Sequence, residues 1–214
     1  MVNSLSEYSV YSVVNSLNPV IRSKKMKNKY LFHAHITEQK FRQVMRYFAL
    51  DIEISKISIL TGVSRQSLNG IIFALRQRIA GLCDTETPPA SDISNPVAVG
   101  IYKEEGFIRT RCIGISAMPD LIVLRSKWSV PEIFQPYDGV INVSTWKYHQ
   151  ISPVINDAAA FWGLTKERLA RFRGLHRKMI YYHLKESEYR YNHRHEDLYP
   201  VLLNLCSNPA LRLM

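Results

Sequence analysis

ISKISILTGVSRQSLNGII, residues 54–72, is the stretch on which the fold turns. Ile54, Ile57 and Leu60 recur at helical spacing and face inward on a short helix over about 53–60. Gly62 supplies a tight turn, and Ser64 is placed to cap a second helix running from about 65 to 82. That helix buries Leu68, Ile71, Ile72, Leu75 and Ile79, and projects Arg65, Gln66, Asn69, Arg76 and Arg78. Two short helices joined through a glycine have the layout of a helix-turn-helix, in which the second presents its N-terminal side chains to the DNA major groove. Arg65 suits guanine or phosphate, while Gln66 and Asn69 suit adenine edges. The amide N-terminus capped by Ser64 suits a phosphate. Tri-helical units with a glycine turn also serve as protein-interaction bundles, and that reading stands beside the first.

Upstream, residues 37–50 read as a helix with Thr37 as its N-cap and Phe41, Val44, Met45, Phe48 and Ala49 on one face. Residues 1–25 are expected to be an appendage to a domain over 26–83: they are rich in Ser and Asn, and Met26 opens a string that would itself make a start. A basic run, with Lys24, Lys25 and Lys27, joins the two and is a candidate for backbone contacts to DNA. Downstream, Pro88, Pro89 and Pro96 mark a linker over 84–96. VAVGIY (97–102) and FIRTRCI (107–113) read as strands joined by a hairpin ending in Gly106. DLIVL near 120–124 reads as a strand or short helix, and VINVSTW is strand-like. Helices follow over 157–172, 176–193 and about 199–206, so the order is three helices, a small sheet, then helices.

Composition narrows the function classes. The chain has 214 residues, 46% of them hydrophobic, and 12 Tyr, 8 Phe and 3 Trp, which is enough to bury a core and excludes disorder throughout. No apolar stretch approaches the roughly 20 residues that span a bilayer, and the N-terminus lacks the layout of a secretory signal. A cytoplasmic protein with no membrane partner is expected. Cys83, Cys112 and Cys206 lie far apart with no CxxC, so neither a zinc knuckle nor a disulfide framework is indicated. The formal charge of +10 is uneven: +9 over residues 21–83, −2 over 84–154 and +4 over 155–214. Two basic flanks around a slightly acidic middle point to a polyanion, of which nucleic acid is the commonest, or to solvated helix faces.

The string AAAFWGLTKERLARFRGLHRKMIYYHLKESEYRYNHRHEDLYPVLLNL (158–205) then carries a resemblance. Phe161-Trp162 precedes a basic helix with Lys166, Arg168 and Arg171, Phe172-Arg173-Gly174 breaks it, and His183-Leu184-Lys185-Glu186 leads into Glu188, Arg190, Asn192 and Arg194. This pattern resembles the C-terminal region of small bacterial insertion-sequence transposases of the ISXO-like group. KYLFHAHITEQKFRQVMRYFALDIEISKISILTGVSRQSLNGIIFALRQRI is similar to that group's N-terminal domain, so the resemblance covers most of residues 26–206. It implies an α/β architecture: a helix-turn-helix domain over 26–83, then a shortened RNase H-like domain over 97–214. It also implies bacterial DNA transposition at the nucleoid, on terminal inverted repeats, by a homo-oligomer. Three acids there hold two Mg²⁺ ions, one activating the attacking oxygen and one stabilising the leaving oxygen.

Those acids are not intact. The segment between Cys83 and Val97 lacks the strand that should carry the first, and Asp92 is the nearest substitute. Glu132 stands at the second position, as the one candidate catalytic and metal-binding residue, with Asp138 six residues on. Ala159 stands at the third, and Asp157 lies half a turn away. The expected function is therefore a DNA-binding transposase-like protein with impaired strand chemistry. An active Mg²⁺-dependent transposase and an oligomerising inhibitor of an intact relative are the alternatives. Lys166, Arg168, Arg171 and Arg173, clustered beside the third position, are expected to contact DNA phosphates. His193 and His195 point about 200° apart on a helix and suit a surface better than a metal site, and Trp162 reads as a core anchor.

Overall fold

The computed structural model describes residues 28–32, 35–85, 96–114, 137–152, 157–172 and 176–213. Thr37 has extended backbone and its hydroxyl accepts the Lys40 amide, which starts α1 (Glu38–Ala49) and turns Phe41, Val44, Met45 and Phe48 inward. α2 (Ile54–Thr61) ends at Gly62, whose left-handed φ of 64° lets its amide close on the Ser58 carbonyl. α3 (Arg65–Thr85) follows at once and buries Leu68, Ile71, Ile72, Leu75 and Ile79, the face its periodicity predicts. Two expectations fail here. Leu60 is 57% exposed, because α2 turns Ile57 and Thr61 to the core instead. Arg76 is buried, because a carboxylate from elsewhere in the chain meets it there.

β1 (Ala98–Glu104) and β2 (Phe107–Ile113) form the expected hairpin, closed by Glu105 and Gly106 at φ 49° and 86°. β3 (Gly139–Asn142) pairs with β1, and β4 (Lys147–Gln150) with β3. The VINVSTW stretch is thus part strand and part turn. The Asn142 side chain accepts the Ser144 and Thr145 amides and folds the chain back after β3. The sheet has the order β2-β1-β3-β4 and is antiparallel at each pairing, so the fold is mixed helix and sheet. α4 (Asp157–Ala170), α5 (Arg177–Asn192) and α6 (Leu198–Ser207) complete it. The 120–124 segment lies outside the described residues.

Two main hydrophobic clusters form. One holds the inner faces of α1–α3 together with Tyr30, Leu31, Tyr189, Leu202, Cys206 and Leu211. The other packs β1, β2 and β3 against Phe161, Trp162, Ile180, Tyr181 and Leu184 of α4 and α5. A division of the chain at 84–96 does not separate them, because α6 packs on α1 and a backbone bridge joins Leu31 to Leu211. Among the described residues no helix is long and apolar enough to cross a membrane. Cys83, Cys112 and Cys206 are buried free thiols.

Candidate nucleic-acid interface and the ionic core behind it

The start of α3 presents a polar face. Ser64, Arg65, Gln66 and Asn69 are all exposed, while Leu68 beside them is fully buried and fixes the helix's rotation. The Ser64 Oγ accepts the Ser67 amide at 3.1 Å, as a cap should, and bonds the Ser67 hydroxyl at 2.9 Å. Arg65 is exposed at the first position of α3. Lys40 reaches the same neighbourhood, its Nζ lying near Gly62.

The second expected cluster divides. Lys166 is exposed on α4. Arg168 is not a surface contact: it is buried, its Nε bonds Asp51 at 2.9 Å, and its other nitrogens reach Ser187 and Glu186. Arg171 is partly exposed and its guanidinium bonds the other oxygen of Asp51. Arg173, Lys24, Lys25, Lys27, Asp92 and Glu132 lie outside the described residues.

Ala159 sits half-buried on α4 and offers no ligand atom. Asp157, one turn end away, accepts the Lys103 ammonium at 2.6 Å, and that hydrogen bond draws its carboxyl below the ordinary range. Asp138 accepts the Lys103 amide at 3.0 Å. Among the described residues no three His, Cys, Asp or Glu side chains gather as a metal set. His193 pairs with Glu196 at 2.9 Å and lies against the Tyr189 ring, while His195 is exposed.

What the sequence reading missed is the work of the acids in KESEYRYN. Glu186 has no exposed surface and bonds Arg76 at 2.6 Å, Arg190 at 2.9 Å and Arg168. Burial by itself would raise its carboxyl, but the three guanidiniums outweigh that and hold it well below the carboxylate range. Glu188 accepts the Thr110 amide at 2.9 Å, the Thr110 hydroxyl at 2.6 Å and Lys185 at 3.1 Å. Lys185 also meets the Thr110 carbonyl at 2.8 Å and Asp84 at 3.1 Å. Asn192 closes the row by bonding both the amide and the carbonyl of Ile108 at 2.9 Å each. The residues that carry the resemblance most specifically are therefore the struts that tie α5 to α3, α4 and β2. The spacings Lys185/Glu188 and Glu186/Arg190 were a legible signal of pairing along one helix. The partners Arg76, Asp51 and Thr110 were not, since they come from distant parts of the chain. Set against models of protein families, curated proteins and solved structures, the chain matches none.

Proposed function

We propose that the chain is a double-stranded DNA-binding protein of the insertion-sequence transposase type, a helix-turn-helix unit joined to a shortened RNase H-like part, with its strand chemistry impaired. The observation that carries this reading is the exposed Arg65, Gln66 and Asn69 at the start of α3, a helix whose opposite face is locked into the core. A +9 segment surrounds them, which supports a polyanionic partner. Ala159 at the third acid position and the engagement of Asp157 by Lys103 support loss of metal-dependent cleavage. A homo-oligomer belongs to the same proposal, because Ile59 and Leu60 of α2 stand exposed at 79% and 57% next to the reading helix.

The test is a gel experiment on DNA from the gene's own flanks, at low and high salt, with EDTA, Mg²⁺ or Mn²⁺. Retarded, intact DNA in every lane is expected. Metal-dependent nicks at a defined end, abolished by Glu132→Ala, would make the chain an active transposase. The double variant Arg65→Ala/Gln66→Ala is expected to lose site preference by roughly tenfold or more while keeping most of its non-specific affinity. An unchanged ranking of sites would remove α3 as the reading helix.

A further inference from the structure

A cavity of about 130 Å³ opens between α4 and α5. Arg168, Arg190 and Arg194 line it together with Thr165 and Ser187; no carboxylate is among its described lining residues, and Glu186, which bonds both Arg168 and Arg190, lies outside that lining. Phe161 and Leu164 form an apolar wall. Behind the cavity, Arg76, Arg168, Arg171 and Arg190 have Asp51 and Glu186 as their ion-pair partners among the described residues. Positive charge is therefore in excess at a place mostly withdrawn from water, where charges are ordinarily matched.

We propose that this cavity binds a phosphate group. A dianion would offset the excess of guanidinium charge, and arginine forks match phosphate oxygens with paired N–H donors. Arg168 and Arg190 each keep donors beyond the bonds they make. Of the five N–H groups on a guanidinium, Arg168 gives bonds to Asp51, Ser187 and Glu186, and Arg190 to Glu186, Phe48 and Ala49. Burial lowers the Arg190 pKa even though Glu186 pulls it upward, whereas at Arg168 the carboxylates of Glu186 and Asp51 outweigh burial and raise the pKa. Arg194 guards the rim, held by the Tyr191 carbonyl at 2.8 Å and by that ring's face. The cavity is smaller than the roughly 300–1,000 Å³ of ordinary small-molecule pockets, so the phosphate enters and whatever carries it stays outside. Two sources share this chemistry, the 5′-terminal phosphate of a DNA strand and a free phosphate. The inference does not depend on the DNA-binding reading.

The experiment is thermal denaturation of the full chain in inorganic phosphate against chloride at matched ionic strength. Phosphate at ten times its dissociation constant is expected to raise the melting temperature by a few degrees. Lys147→Gln, which removes one charge from exposed β4, is expected to keep that rise. Arg194→Gln and Thr165→Val are expected to lose it while melting cooperatively in chloride. No rise in the parent chain, or the same rise in both cavity variants, would overturn the proposal. A short single-stranded oligothymidine with and without a 5′-phosphate then separates the sources. Preference for the phosphorylated strand assigns the site to a strand end, and equal binding assigns it to a free phosphate.

Discussion

His183 is buried beside the ionic core, its ring centroid 4.6 Å from that of Phe172, and its Nδ1 has no hydrogen-bond partner among the described residues. Burial first, and Arg76 next, push its pKa down to about 3, whereas in an unfolded chain it titrates near 6.5. The folded value lies below the unfolded one, so between these pH values only the unfolded chain binds the extra proton. Stability is therefore complete above pH ~6.5 and falls as the pH drops toward 3, by on the order of 5 kcal/mol over the whole span. Glu186 acts in the same direction at lower pH. Its depressed carboxyl stabilises the fold above the usual carboxylate range, and that contribution is lost as the acid protonates. Urea unfolding midpoints are expected to fall between pH 6.5 and 4, and His183→Gln is expected to flatten that slope whatever it does to stability at pH 7. A His183→Gln chain with the parental slope would place the acid sensitivity in other groups.

At the scale of elements, the sheet is shaped by what its glycines leave out. A Cβ added at Gly100 of β1 would fall inside the van der Waals envelope of the Tyr137 ring near its root, and one at Gly139 of β3 would meet the far end of Tyr148. A ring packed at its root has little room to yield, whereas a ring tip can swing. Gly100→Ala is expected to destabilise by about 1–3 kcal/mol, with Gly139→Ala the milder of the two, as compared by their melting temperatures. An equal drop would mean that Tyr148 is held as firmly as Tyr137. Nothing in GIY or DGV announces these seats, because the tyrosines that fill them are far from Gly100 in sequence or past a turn from Gly139. α1, α3 and the β1–β2 hairpin were legible, since their period and caps are local signals. β4 was not: KYHQ carries no apolar alternation and is held by register with β3 alone. Arg168 was misread for a similar reason. An arginine in a basic run looks solvated until Asp51 and Glu186 arrive from 117 residues before it and 18 after it.

In the whole molecule, α5 makes the two clusters one. It gives Tyr189 to the cluster of α1–α3 and α6, Tyr181 and Leu184 to the cluster under the sheet, and Glu186 to arginines on both α3 and α4. Removing residues 197–214 is therefore expected to damage more than the chain end. The truncation strips Leu202, Leu203 and Leu211 from the first cluster, with Cys206, and each buried leucine contributes roughly 1.5–3 kcal/mol. That sum is comparable with the total stability of a domain, about 5–15 kcal/mol. If α5 couples the clusters as its contacts require, loss of helical far-ultraviolet dichroism and loss of the near-ultraviolet signal of the stacked Trp146–Trp162 pair should coincide on heating, at a much lower temperature than in the full chain. A truncated chain that kept the tryptophan signal while its helices melted would show instead that the sheet and α4 stand alone. The row of bonds from Lys185 to Asn192 would then serve the sheet only, and the helical unit would owe its order to α6.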